Sequence, residues 1–255
     1  MLESAKLKAE RAQYHIRDLQ RVFDTFVGSN PHSVTFQADT ETGNLNIDIR
    51  FKVEPPKELP LILGDAVHNL RCALDHITWE IIGIDRGTQD RWTKFPTGRT
   101  AQDYETNCKG LKTPRVDTKD FFVALACYKG GNGFRFWSIN ELDNSDKHVI
   151  VTPIIRASRL HIESARIFFG GRQLTEIKNQ TLDAVARPDG TMGVMGIARG
   201  GSIEFDQPPK ATTAIYFNWI DAYPSQLVIP TLAELADAVT NLIGRFEQFV
   251  STRGP

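Results

Sequence analysis

Between His148 and Val228 the apolar residues recur mostly at every second position, whereas on both sides of that stretch they recur at every third and fourth. A period of two puts alternate side chains on opposite faces of a strand, and the three-to-four spacing builds a stripe along a helix. The two-residue period is carried by Val149 and Val151, Leu160 and Ile162, Ile167 and Phe169, Ile203 and Phe205, and Ile215, Phe217 and Trp219. Gly170-Gly171, Pro188-Asp189-Gly190, Gly200-Gly201 and Pro208-Pro209 cut this stretch into short runs, which predicts an antiparallel sheet. The chain is therefore expected to be α+β: a helical bundle with an attached antiparallel β layer. Residues 1–148 form the mainly helical part, 149–229 the β part, and 230–255 a C-terminal helix that packs back on the helical part.

Within the helical part, Ala12, Ile16, Leu19, Phe23, Phe26 and Val27 predict a helix over 2–28 that ends at Gly28. Ser33–Ala38 and Leu45–Val53 read as a hairpin around Gly43, and a second helix is expected from Pro60 to Gly83. Residues 84–118 read as a long loop with little regular structure, followed by helices at 119–127 and 136–143. Thr231 and Glu234 read as a capping box that starts the last helix after Pro230.

Composition narrows the function classes. The formal net charge is -1, so nucleic acid would have to meet a local patch rather than a global field. Three cysteines (Cys72, Cys108 and Cys127) are an odd number and widely spaced, which argues against a disulfide framework. No apolar run approaches the roughly 18 residues of a membrane-spanning helix, and MLESAKLKAERAQYH lacks a signal-peptide core. A cytoplasmic location without a membrane is the expectation.

The densest polar cluster is Gly64-Asp-Ala-Val-His-Asn-Leu-Arg-Cys-Ala-Leu-Asp-His76. On a helical wheel Ala66, Val67, Leu70, Ala73, Leu74, Ile77 and Ile81 share one face. The other face holds Asp65, His68, Asn69, Arg71, Cys72, Asp75, His76 and Trp79, with no lysine and one glutamate, Glu80. Cysteine and tryptophan rarely sit on a fully wet face, so this face is expected to be partly buried or used as a site. Downstream, Asp143-Asn144-Ser145-Asp146-Lys147-His148 forms a second polar constellation, read as a turn between a helix and the first long strand.

These segments, with YKGGN between them, resemble a widespread family of uncharacterised bacterial and phage proteins over residues 10–155. That resemblance implies no activity, but the joint occurrence of the two motifs implies that they meet in space. Arg71-Cys-Ala-Leu-Asp-His76 also resembles the Arg-then-His hallmark of HEPN-domain ribonucleases, in which four to six residues separate the pair. Cys72 stands where those nucleases often carry Asn, Asp or His. The HEPN resemblance implies a metal-independent ribonuclease or RNA-binding protein, a defence or toxin component, acting as a homodimer with a composite site and no cofactor. Arg71 would hold the phosphate and His76 would move a proton during attack of the ribose 2′-hydroxyl. His68, Asp75, Asp146 and His148 complete the catalytic candidates, with Asn69, Asn144 and Lys147 as ligand-binding candidates.

The same residues admit other readings. Arg71 can pair with Asp75 one turn away while His76 sits in a buried network. His68, Asp146 and His148, with Asp75 or His76, could instead form a nitrogen–oxygen metal site. A non-enzymatic scaffold is the remaining alternative, its polar helix organising a dimer or a small-ligand pocket. Finally, the stretch from Arg86 to Arg115 interleaves basic residues with Trp92, Phe95 and Tyr104, a pattern suited to single-stranded RNA.

Overall fold

A computed structural model describes the chain except residues 40, 149–152, 187–190, 219–221 and 254–255, and the side chains of Lys147, His148 and Ser158. The fold is α+β. Among the described residues six helices, α1 (Glu3–Gly28), α2 (Leu59–Ile84), α3 (Ala101–Lys109), α4 (Val116–Leu125), α5 (Phe134–His148) and α6 (Val228–Thr252), accompany eight strands. The strands are β1 (His32–Ala38), β2 (Leu45–Phe51), β3 (Ile154–Phe169), β4 (Arg172–Asp183), β5 (Val185–Ala186), β6 (Met192–Ile197), β7 (Gly201–Phe205) and β8 (Lys210–Tyr216).

By its internal contacts the chain divides into two compact units. The helical unit comprises Met1–Val22, Lys57–Pro153 and Phe217–Pro255. In it α2 packs against α5 and α6. Its apolar stripe, from Ala66 and Leu70 to Ile77 and Ile81, is fully buried, as are Val239, Leu242 and Phe246 of α6. The amphipathic spacing alone accounts for this burial.

The β unit comprises Phe23–Pro56 and Ile154–Tyr216. One antiparallel sheet has the order β1-β2-β6-β5. In the other, the long β3 pairs with β4 along one edge and with β7 and β8 along the opposite edge. Ile47, Ile49, Leu160, Ile162, Met192 and Ile197, from strands of both sheets, belong to the buried core of the β unit. The boundary expected from sequence order ran along the chain at 148. The contacts instead assign the early hairpin β1–β2 to the β unit, because β2 extends its pairing to β6. Gly43, in the turn of that hairpin, has φ +72, where a side chain would be strained.

Three local expectations need correction. The stretch 84–118 is not loop throughout: α3 lies inside it, opened by a capping box in which Thr100 and Asp103 exchange hydrogen bonds. Its Tyr104 and Cys108, one turn apart, are the buried side of that helix. Thr231 and Glu234 do not cap α6. That helix begins at Val228 after Leu227, and Pro230 lies in its first turn, where a missing N–H costs no hydrogen bond. Finally, Asp143 to His148 is the end of α5 rather than a turn.

Candidate functional site

Helix α2 places the polar residues along one flank, and the segment Asp90–Thr97 runs beside them. Arg71, on the face expected to be partly buried, is only 6% exposed. Its Nη2 lies 2.8 Å from Asp75 Oδ1 and donates to the Phe95 carbonyl at 3.2 Å. The same Asp75 oxygen accepts the Phe95 N–H at 2.8 Å. Arg71 and Asp75 thus clamp the backbone of Phe95, whose ring is buried against Phe122 and Phe136. Burial raises the Asp75 carboxyl above the usual carboxylate range, and the nearby Arg71 charge and the Phe95 N–H only partly oppose it.

Nη1 of Arg71 is buried and has no hydrogen-bond partner among the described residues. Arg71 lines a cleft of about 430 Å³ together with Trp92, Lys94, Asn107, Lys112 and Asn140. Lys112 is bound to Asp90, whereas Lys94 has no ion-pair partner among the described residues. Trp92 is 69% exposed, and the Arg91 guanidinium lies 4.9 Å from its ring centre. The other two aromatic residues of this basic stretch, Phe95 and Tyr104, are core residues.

His76 lines a second cleft, of about 380 Å³, with Ser4, Asp75, Trp79, Arg91 and Thr93. Asp90 and Thr93 border both clefts. Ser4 Oγ lies 2.5 Å from Glu80 Oε1 and 2.8 Å from His76 Nδ1. A hydroxyl has one proton, and the carboxylate takes it, so His76 Nδ1–H is the donor to Ser4. His76 Nε2 is then left with a lone pair. Ser4 and Glu80 were missed as site residues; the single glutamate on the polar face was the signal available.

Further toward the start of α2, the two polar segments meet. His68 Nδ1 lies 3.0 Å from Asp143 Oδ1, and His68 Nε2 lies 3.4 Å from Cys72 Sγ. Asp146 closes on the helix at Gly64, where an added Cβ would stand 2.5 Å from Asp146 Oδ2. Asp143, absent from the expected set, is 3% exposed and one turn beyond the buried Ile139. An acid on an apolar stripe was its sequence signal. Asn69 spends its Nδ2 donor on the Asp65 carbonyl at 2.8 Å, and Asn144 is exposed on α5. The side chains of Lys147 and His148 lie outside the described residues.

Among the described residues no group of three His, Cys, Asp or Glu side chains is placed to hold one metal ion. The metal reading required His148, so it falls outside what those residues address. Lys129-Gly-Gly-Asn-Gly133 is a tight connection between α4 and α5, in which the Gly133 N–H donates to the Ala126 carbonyl just past α4 and the Gly131 N–H to the Tyr128 carbonyl. No described helix is long and apolar enough to cross a membrane. Compared with family models, curated proteins and solved structures, the chain matches none.

Proposed function

We propose that the chain binds single-stranded RNA across the paired clefts beside α2. The carrying observation is that Arg71, whose buried Nη1 has no partner among the described residues, lines a cleft that also holds an exposed tryptophan and a lysine with no ion-pair partner among those residues. A buried guanidinium N–H left unbonded costs free energy that an anionic oxygen would recover, and a forked guanidinium suits phosphate. Lys94 adds a second cation at the rim, and Trp92 offers a face on which a base stacks. The net charge of -1 restricts this binding to the local patch.

Trp92 provides the test. Titrating the protein with a short single-stranded oligoribonucleotide should quench tryptophan fluorescence with saturation at micromolar concentrations. Trp92→Ala should weaken binding by roughly 1–3 kcal/mol, the usual value of one stacked base. Lys94→Ala should lower the salt dependence by about one counterion. No saturable binding at low salt, or equal binding by both variants, would reject the reading.

A second reading, metal-independent RNA cleavage, is favoured by the Glu80–Ser4–His76 chain. It leaves His76 Nε2 as a proton acceptor in the cleft adjoining Arg71. His76→Ala should then lower EDTA-resistant cleavage about a hundredfold or more while binding persists. If the site is composite, as the HEPN resemblance implies, light scattering should give a homodimer at micromolar concentration. Wild-type protein that binds RNA and never cleaves it keeps the first reading and removes the second.

A further inference from the structure

The contacts Cys72–His68–Asp143 lie outside the clefts assigned to RNA, and the binding reading makes no use of them. Asp143 is 3% exposed and His68 is 54% exposed, so the carboxylate is fixed in the interior while the imidazole reaches solvent. A carboxylate accepts only, so His68 Nδ1 carries the proton toward Asp143, and Nε2 turns a lone pair to the thiol 3.4 Å away. A thiol beside a base held in one tautomer by a carboxylate is the arrangement that activates a sulfur nucleophile. Cys72 is itself partly exposed.

The surroundings decide which electrophile suits this thiol. Cys72 lies in the middle of α2, whose N–H groups are occupied by helical hydrogen bonds, so the local backbone offers no donors for the oxyanion of acyl transfer. Attack on a disulfide needs none, because its charge develops on sulfur atoms alone. The geometry points to Cys72 as a site of reversible S-thiolation by low-molecular-weight disulfides, with His68 moving the proton and Asp143 positioning His68.

The step balances. The Cys72 S–H proton passes to His68 Nε2, and the thiolate attacks one sulfur of R–S–S–R. The Cys72 S–S bond forms as the bond within the reagent breaks. The departing R–S⁻ takes the proton back from His68. Cys72 is oxidised to the mixed disulfide, and half of the reagent is reduced to R–SH. The other two thiols serve as internal references: Cys108 and Cys127 are buried, and burial pushes them up to about 11 and about 12.

The experiment exposes the folded full chain to oxidised glutathione at neutral pH and follows adducts by peptide mass spectrometry. Cys72 should be modified while Cys108 and Cys127 stay free. His68→Gln, a change on an exposed ring, should slow the adduct roughly tenfold, because the proton acceptor beside the thiol is lost. At strongly alkaline pH, where hydroxide takes the place of the imidazole as proton acceptor, the variant should recover. Asp143→Asn should slow the reaction in the same direction, and nitrogen NMR of the His68 ring should show loss of the single Nδ1–H form. If Asp143→Asn does not fold, His68→Gln decides alone. A wild-type rate in a folded variant, no adduct on Cys72, or equal adducts on all three cysteines would overturn the assignment.

Discussion

Replacing Arg71 by alanine would leave Asp75 partly buried with the Phe95 N–H as its remaining close donor. Stripping one partner from such a pair should cost about 2–4 kcal/mol, less than for a fully buried pair because Asp75 is partly exposed. The loss has a pH signature. Burial holds the Asp75 carboxyl above its ordinary range, so the folded chain binds this proton more tightly than the unfolded chain does. Its contribution to stability therefore falls as pH rises from the ordinary carboxylate range through the folded-state value. Without Arg71 the folded value rises further, so urea midpoints of Arg71→Ala and wild type should converge in acid and separate toward neutrality. A constant separation across that window would dissociate the cost from Asp75. The i,i+4 pairing of Arg71 with Asp75 was legible in the spacing. That Phe95 would be clamped by both was not, because the contacts span 20 and 24 residues and no local period encodes them.

The end of α6 is fixed by one buried charge. Arg253, just past the helix, donates to Asp85 Oδ1 at 2.5 Å and to Thr118 Oγ1 at 2.8 Å, and Thr113 donates to the other Asp85 oxygen at 2.6 Å. Asp85 follows the last residue of α2 and its side chain is fully buried, so the network ties α2, α4 and α6 together. Truncation after Thr252 should cost about 3–5 kcal/mol by leaving that carboxylate uncompensated. Asp85→Asn in the truncated chain should recover much of the loss, measured by thermal melts; no recovery would mean that Arg253 acts by packing on Phe249 alone. At this scale the long helices were readable, because α1, α2 and α6 each repeat their apolar stripe over six or more turns. The short helices were not. Helix α3 has nine residues and an aspartate where the usual box carries glutamate or glutamine, so its stripe reduces to Tyr104 and Cys108. Helix α5 mixes Asp143 into its buried side, which blurs the period and made its last turns look like a loop.

At the scale of the whole molecule the chain passes four times between its two units, after Val22, Pro56, Pro153 and Tyr216. Neither unit is one continuous segment, so each must gather pieces distant in sequence, which slows assembly through loop-closure entropy. Yet each has a core of its own: Leu70, Ile77 and Phe246 in the helical unit, Ile47, Leu160 and Ile162 in the β unit. Separate cores joined by shared chain make a specific pattern under perturbation. Ile47→Ala and Leu70→Ala should each remove about 2–5 kcal/mol of packing from a fully buried position. Native-state hydrogen exchange should locate that loss. Amides of β2, β3 and β6 should lose protection in Ile47→Ala while α2 and α6 keep theirs, and the converse should hold for Leu70→Ala. Equal loss of protection throughout in both variants would mean that the two cores unfold as one cooperative body. If RNA binds as proposed, it offers an independent check on the same division. A ligand held beside α2 stabilises only what unfolds with α2, so it should raise protection there and leave the β2–β6 amides unchanged. Protection raised equally in both units would place the bound RNA against the β unit as well, or show that the units open together.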